Sequence, residues 1–317
     1  MKKFMKGCAI VALIMIIFGL VLAIVAGTRR GSAAITEVVE RVTGGRIHVN
    51  LGWGNFPFGI WFGDDDWNYE LDSADIYDKD HEVLRGEQAT VYPDPGTVIK
   101  ELDINLGGCS FETRISETGE FYVKTSGMDK IQVYEEKDVL YIKSVNTHLK
   151  LTSDFGKVVL YVPEGQYYDE VNIELGAGKM TFDELDAKKI SLEVGAGAIL
   201  CKNITAEKLK ASVGMGQIEL REMDIDELDA EIGMGELLGD GIINKSADLE
   251  CSMGNLDLKL DGSKQDYNYK LDAAAGNVDI GRDSFSGLAT SRWIDNNAAK
   301  TLNIKCSMGN ISIRFTE

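Results

Sequence analysis

Six residues from Gly176, reading GAGKMT, have the makings of a phosphate cradle: glycines that free backbone amides, a lysine for charge and a hydroxyl that suits a metal. The equivalent residues in the next stretch, GAGAIL from Gly195, keep the glycines but lose both Lys179 and Thr181. The full G-x-x-x-x-G-K-[ST] spacing is absent, so these glycines read as chain corners instead of a nucleotide loop. No GxSxG, HExxH or CxxC spacing occurs, and 3 His and 5 Cys are too scattered for a zinc site or a disulfide framework. Asp64, Asp65 and Asp66 run consecutively without the spaced ligands of a calcium loop, so they read as solvated. With 51 acidic against 33 basic residues, a formal charge of -18 disfavours nucleic acid as a partner, since a polyanion would be repelled. No cofactor, metal or catalytic constellation is expected.

What positions these residues is a repeat. Segments begin at Val171 (VNIELGAGKMTF), Ile190, Leu209, Leu228, Ala247, Tyr269 and Leu302, and four successive units share a 19-residue period before two excursions lengthen it. A fixed period near twenty is the signature of a solenoid. Positions one, three and five of each unit are mostly apolar, as are ten and twelve, so each unit should form two short strands with one face inward. Position four is usually acidic (Glu174, Glu193, Glu231, Glu250, Asp272). Position eight is glycine throughout: Gly178, Gly197, Gly216, Gly235, Gly254, Gly276 and Gly309. A corner needs either positive φ or close backbone approach, and glycine supplies both. The residues at position seven (Ala177, Ala196, Met215, Met234, Met253, Ala275, Met308) read as side chains stacked at the bend, ahead of an adaptable contact strip.

The cysteines fit this frame. Cys251 and Cys306 both hold inward position five, but a unit lies between them in sequence, which would leave them about 9.6 Å apart and beyond disulfide reach. They and Cys201 read as small buried hydrophobes, while Cys109 has no assigned role. Upstream, residues 102–162 alternate like strands, with turns at Gly107-Gly108, Ser126-Gly127 and Pro163-Glu164-Gly165, and should supply the first layers and a cap.

Three regions result: 1–30 a cytoplasmic tail and anchor, 31–100 a linker, and 101–317 the repeat body. Cys8 to Ala26 carries no charge and is long enough to cross a bilayer once as a helix. Lys2, Lys3 and Lys6 precede it, and a single N-terminal span after a short basic tail places the bulk of the chain outside the cell. Residues 34–42 carry one apolar helical stripe, and the segment after it is acidic and aromatic, holding Trp53, Trp61 and Trp67. Those tryptophans, together with Arg282, Arg292 and Trp293 in the long excursion after Ile280, are the candidate partner contacts.

The order ELDINLGGCSFE, VVLYVPEG, the chain of GAG and GMG units and the closing CSMGNISIRF resembles the bacterial family of β-strand-repeat domains of unknown function that carries the label "putative adhesin". The resemblance covers about residues 100–317. It implies an all-β envelope protein with a membrane anchor and a surface-attachment role, and it brings no catalytic residues with it. The expected fold is thus a single-chain β-solenoid behind one membrane helix. The expected function is a binding or adhesion module at the cell surface, with an envelope-stress sensor acting through a membrane partner as the alternative. The ligand and the oligomeric state are not legible in the sequence.

Overall fold

The computed structural model describes residues 47–50, 59–62, 80–91, 93, 98–144, 156–286 and 290–316. They are all-β, apart from one 3-10 turn at Lys264–Asp266. Among them no helix is long and apolar enough to cross a membrane. The Cys8 to Ala26 run, the stripe at 34–42, Trp53 and Trp67 lie outside the described residues. The chain divides into two units, Met1–Leu71 and Asp72–Glu317. In the first, β1 (Ile47–Asn50) pairs antiparallel with β2 (Gly59–Phe62), which contains Trp61.

The second unit is one 18-stranded sheet wound on itself. It opens with β3 (Leu84–Val91), β4 (Glu101–Ile115), β5 (Tyr122–Glu136), β6 (Val139–Ser144), β7 (Lys157–Val162) and β8 (Tyr167–Phe182). The regular repeat runs through β9 (Leu185–Val194), β10 (Ala198–Cys201), β11 (Ile204–Val213), β12 (Gln217–Ile232), β13 (Glu236–Cys251) and β14 (Asn255–Asp261). The chain closes with β15 (Tyr267–Ala273), β16 (Asn277–Ile280), β17 (Asp283–Ser286), β18 (Thr290–Ile294), β19 (Lys300–Cys306) and β20 (Asn310–Thr316).

The 19-residue period appears as parallel, in-register rungs. Ile190 pairs with Leu209, Leu209 with Leu228 and Leu228 with Ala247, each identical in repeat position. Positions one, three and five point inward as the alternation predicts: Ile190, Leu192 and Val194 are buried, and so are Ile199 and Cys201 at ten and twelve. Each regular rung also has a third inward stretch that the two-strand reading missed. Leu185 and Ala187, Ile204 and Ala206, and Met223 and Ile225 fill positions fifteen and seventeen and are buried. Apolar side chains therefore converge from three stretches per turn, so a rung only nineteen residues around still closes a core.

Rung order departs from chain order at both ends. β4 lies between β6 and β7 on one side and β8 on the other, although β6 and β7 follow it in sequence. At the far end β19 pairs with β13 on one side and β15 on the other, while β20 pairs with β14 and β16. The unit starting at Leu302 therefore slots between those starting at Ala247 and Tyr269. This corrects the sequence expectation about the cysteines: Cys251 and Cys306 are direct register partners with no rung between them. It also sets two identical pentapeptides, Cys251 to Asn255 and Cys306 to Asn310, both CSMGN, directly on each other.

Antiparallel strands close the stack. β5 pairs with β6 and β7, changing partner after the bend at Gly127 (φ 65°), and β3 pairs with β5 from within the segment read as linker. β17 and β18 cover β16 and β15. Gly107-Gly108 does not interrupt β4, whereas 163–165 is a turn with Gly165 at φ 69°.

Candidate functional site

The corner glycines define a face. A Cβ built on any of the seven position-eight glycines falls 2.2–2.8 Å from backbone oxygen of the neighbouring rung. At Gly235 it would meet the Gly216 carbonyl oxygen at 2.2 Å and Val213 Cγ1 at 2.6 Å. Of the seven, only Gly178 has positive φ (98°). Close approach thus explains the glycines, because side chains there would pry the rungs apart. Cys109 occupies the same corner in β4, in register with Gly178, and burial pushes its thiol up to about 12.

Because the corner carries no bulk, it forms an open groove of about 850 Å³ along the stack, lined by Gly178, Gly197, Gly216, Gly235 and Gly254 with the residues on either side. On one side stand the position-seven side chains. Met215 and Met234 are each 45% exposed and Met308 is 41% exposed, with Met253 half-buried. The expectation that these methionines merely stack at the bend understates them, since exposed thioethers line the groove. The rung swap adds to this. Met308 N–H donates to the Ser252 carbonyl oxygen at 2.8 Å, placing its rung beside that of Met253, so four methionines occupy consecutive rungs without the alanine that separates them in sequence.

The other side of the groove is polar. Gln217, Glu236, Asn255 and Asn310 follow one another at position nine. Glu236 accepts from Gln217 Nε2 at 3.0 Å and from Asn255 Nδ2 at 3.3 Å, one bond to each carboxylate oxygen. Backbone N–H groups beneath are engaged in rung-to-rung bonds, such as Met234 N–H to Gly214 O and Met253 N–H to Gly233 O, both 2.8 Å. What the groove presents is therefore side chain: flexible apolar thioethers beside amides and one carboxylate. The residue after each corner glycine carried this signal in sequence, but only stacking shows that the polar groups form a row.

The position-four acidic row lies on another surface and is broken. Ser212 pairs between Glu193 and Glu231, and Lys305 between Glu250 and Asp272, with Lys305 Nζ 3.3 Å from Glu250. Glu174 stands out, its pKa raised to about 7 by burial first and then by Glu193 and Asp103, against the pull of Lys143. Among the described residues no three His, Cys, Asp or Glu side chains are grouped to hold a metal.

The excursion after Ile280 does not join the groove. It builds β17 and β18 over the last rung, where Trp293 is 58% exposed opposite Lys270 and Arg292 lies 5.8 Å over the Phe285 ring. Arg282 is exposed at the start of that excursion. These three residues sit on the end cap, whereas Trp61 lies in β2 and Trp53 and Trp67 lie outside the described residues.

Residues 99–290, more than half of the chain, match the Toastrack DUF4097 family. No curated protein matches the chain. Similar solved structures include a "putative adhesin" from Bacteroides fragilis (14% identity, TM-score 0.40, 73% of this chain and 97% of that one). A "putative lipid binding protein" from Parabacteroides distasonis is 15% identical (TM-score 0.40, 74% and 97%). A "putative cell adhesion protein" from Clostridium sporogenes is 14% identical (TM-score 0.34, 73% and 100%). The chain belongs to the Toastrack DUF4097 family.

Proposed function

We propose that this Toastrack protein is a membrane-anchored, extracytoplasmic β-solenoid that acts as a binding or adhesion module and performs no enzymatic step. Its contact face is the corner groove. The anchor is the uncharged run from Cys8 to Ala26, and the body, whose sheet runs from β3 to β20, stands outside the membrane. One observation carries the reading: Met215, Met234 and Met253 stand on consecutive rungs along a glycine-floored groove, the first two 45% exposed, and exposed Met308 extends the row onto the next rung. Exposed apolar side chains on a rigid scaffold lose little order on contact, and methionine adapts to varied partner shapes. Repeat stacks bind through such long faces.

Two linked measurements test this. Protease added to intact cells should digest the body and spare the tail before Cys8. On undigested cells, a photo-crosslinking side chain at position 234 should capture a partner. The adduct should vanish when Met215 and Met253 become Glu and persist when the crosslinker's flanking rungs are left intact. Capture from position 250, on the acidic row, with none from 234 would refute the groove as the contact face. Protection of the body from protease would refute its location.

A further inference from the structure

We propose that Cys251 and Cys306 are a modification site, a thiol pair that closes to a disulfide and staples β19 and β20 into the stack. The pair is made by the rung swap. Cys251 and Cys306 are in-register partners on adjacent parallel strands, both at inward position five and 0% and 2% exposed. Neighbouring strands lie about 4.8 Å apart, inside the Cα separation of about 4.4–6.8 Å that a disulfide spans. The surroundings leave room for sulfur, because a Cβ on Gly309 would fall 2.5 Å from Cys251 Sγ and one on Gly276 2.3 Å from Cys306 Sγ.

The two thiols are not equivalent. Cys306 Sγ donates to the Gly309 carbonyl oxygen at 3.1 Å, and the two cysteines share a hydrogen bond. That bond from Cys251 holds the Cys306 thiol below its ordinary pKa and keeps Cys251 protonated, with burial adding to the rise at Cys251. While β19 and β20 are undocked, the thiolate of either cysteine attacks one sulfur of a small disulfide oxidant, expelling a thiolate and forming a mixed disulfide. The other cysteine, giving up its proton, then attacks the protein sulfur of that mixed disulfide and expels the second half. In sum, two protein thiols and one oxidant disulfide become one protein disulfide and two small thiols. With both sulfurs buried in the closed stack, exchange takes place while β19 and β20 are undocked, and docking afterwards shields the bond from reduction. The other two described cysteines have no such partner. Cys201 pairs in register with Phe182 and Leu220, and Cys109 with Gly178.

An oxidising compartment rests on the extracytoplasmic reading above, so the test separates the two. The full chain in detergent is refolded with oxidised and reduced glutathione, then digested without reduction and mapped by mass spectrometry. The expected product is a peptide containing Cys251 joined to one containing Cys306, with the melting temperature raised by about 5–15 °C over the reduced protein. The variant C109A/C201A should keep both results and C251A/C306A should lose both. Linkage through other cysteines, or a Cys251–Cys306 link that lowers the melting temperature, overturns the proposal. Acid quenching of living cells followed by alkylation in denaturant provides the second arm. A pair that links in vitro but is recovered fully alkylated from cells would overturn the extracytoplasmic location and leave the pair's chemistry standing.

Discussion

Replacing Gly235 by alanine probes the close approach at the corners. The new Cβ would sit 2.2 Å from the Gly216 carbonyl oxygen, so the rungs must part locally by the better part of an ångström to reach ordinary contact. That movement weakens three bonds at the corner: Gly235 N–H to Gly214 O, Glu236 N–H to Gly216 O and Asn255 N–H to Gly235 O, each 3.0 Å. At roughly 1 kcal/mol apiece, with about 1–3 kcal/mol of overpacking against Val213, the loss is offset only by about 0.4–1 kcal/mol from a stiffer unfolded chain. The net destabilisation is about 3–5 kcal/mol, which lowers the melting temperature by about 6–15 °C for a body of this size. Calorimetry or denaturant titration of the full chain reads it directly. Asparagine separates the two possible causes, since it tolerates positive φ yet still carries a Cβ. Gly235→Asn should therefore be as harmful as Gly235→Ala. Gly281→Asn, at φ 61° with the nearest atom 3.7 Å from the new Cβ, should cost less than about 1 kcal/mol. A Gly235→Ala protein within about 1 kcal/mol of wild type, or a clear rescue by asparagine, would refute the steric account.

Other outcomes follow from the same geometry. Because the folded-state pKa of Glu174 lies above its unfolded value, its contribution to stability is present in full below about 4.5 and is lost as pH rises through about 7. The loss is at most about 3 kcal/mol and is reduced by its partial exposure; Glu174→Gln should flatten melting temperature between pH 5 and 8, with carboxyl NMR titration as the check. Converting Met215 to Ser should change stability by less than about 0.5 kcal/mol, since it is exposed, while weakening capture from position 234. Tyr269→Phe removes the shorter of two hydrogen bonds to the Lys264 carbonyl oxygen, 2.6 Å, leaving only Asn296 Nδ2 at 3.5 Å, and should cost about 1 kcal/mol in denaturant titration. Arg314 forks onto both Asp257 oxygens at 2.7 and 2.8 Å on the surface, so Arg314→Lys should cost no more than about 1 kcal/mol.

The period, the inward alternation and the corners were legible because each is a local rule repeated in one unit after another. Val171, Ile190, Leu209 and Leu228 announce their faces without reference to anything distant. The third inward stretch was also legible in Leu185 with Ala187 and Ile204 with Ala206, but small alanines and intervening charges weaken its alternation. Rung order was not legible, because the two longer start-to-start offsets, 22 and 33 residues, lengthen the chain without saying where it returns. The one available clue was chemical: two CSMGN copies stack best upon each other, cysteine on cysteine and asparagine on asparagine. The groove depended on that order, and so its methionines were read as bend packing. Why the corners are glycine was likewise open in sequence, since positive φ and close approach select the same residue and only the 2.2–2.8 Å approaches decide between them.

The placement of β19 and β20 between older neighbours makes this a molecule that cannot zip shut in the order in which it is synthesised. Until β19 and β20 arrive, the facing edges of β13 with β14 and of β15 with β16 hold open a slot of unpaired amides and carbonyls shaped for one segment. Made after the strands on both sides of them, β19 and β20 are thus the wedge that completes the wall, and the same segment borrowed from a neighbouring chain would fit the same vacancy. Growth conditions that crowd half-made chains together should for that reason yield interlocked pairs, each lending the other its closing piece.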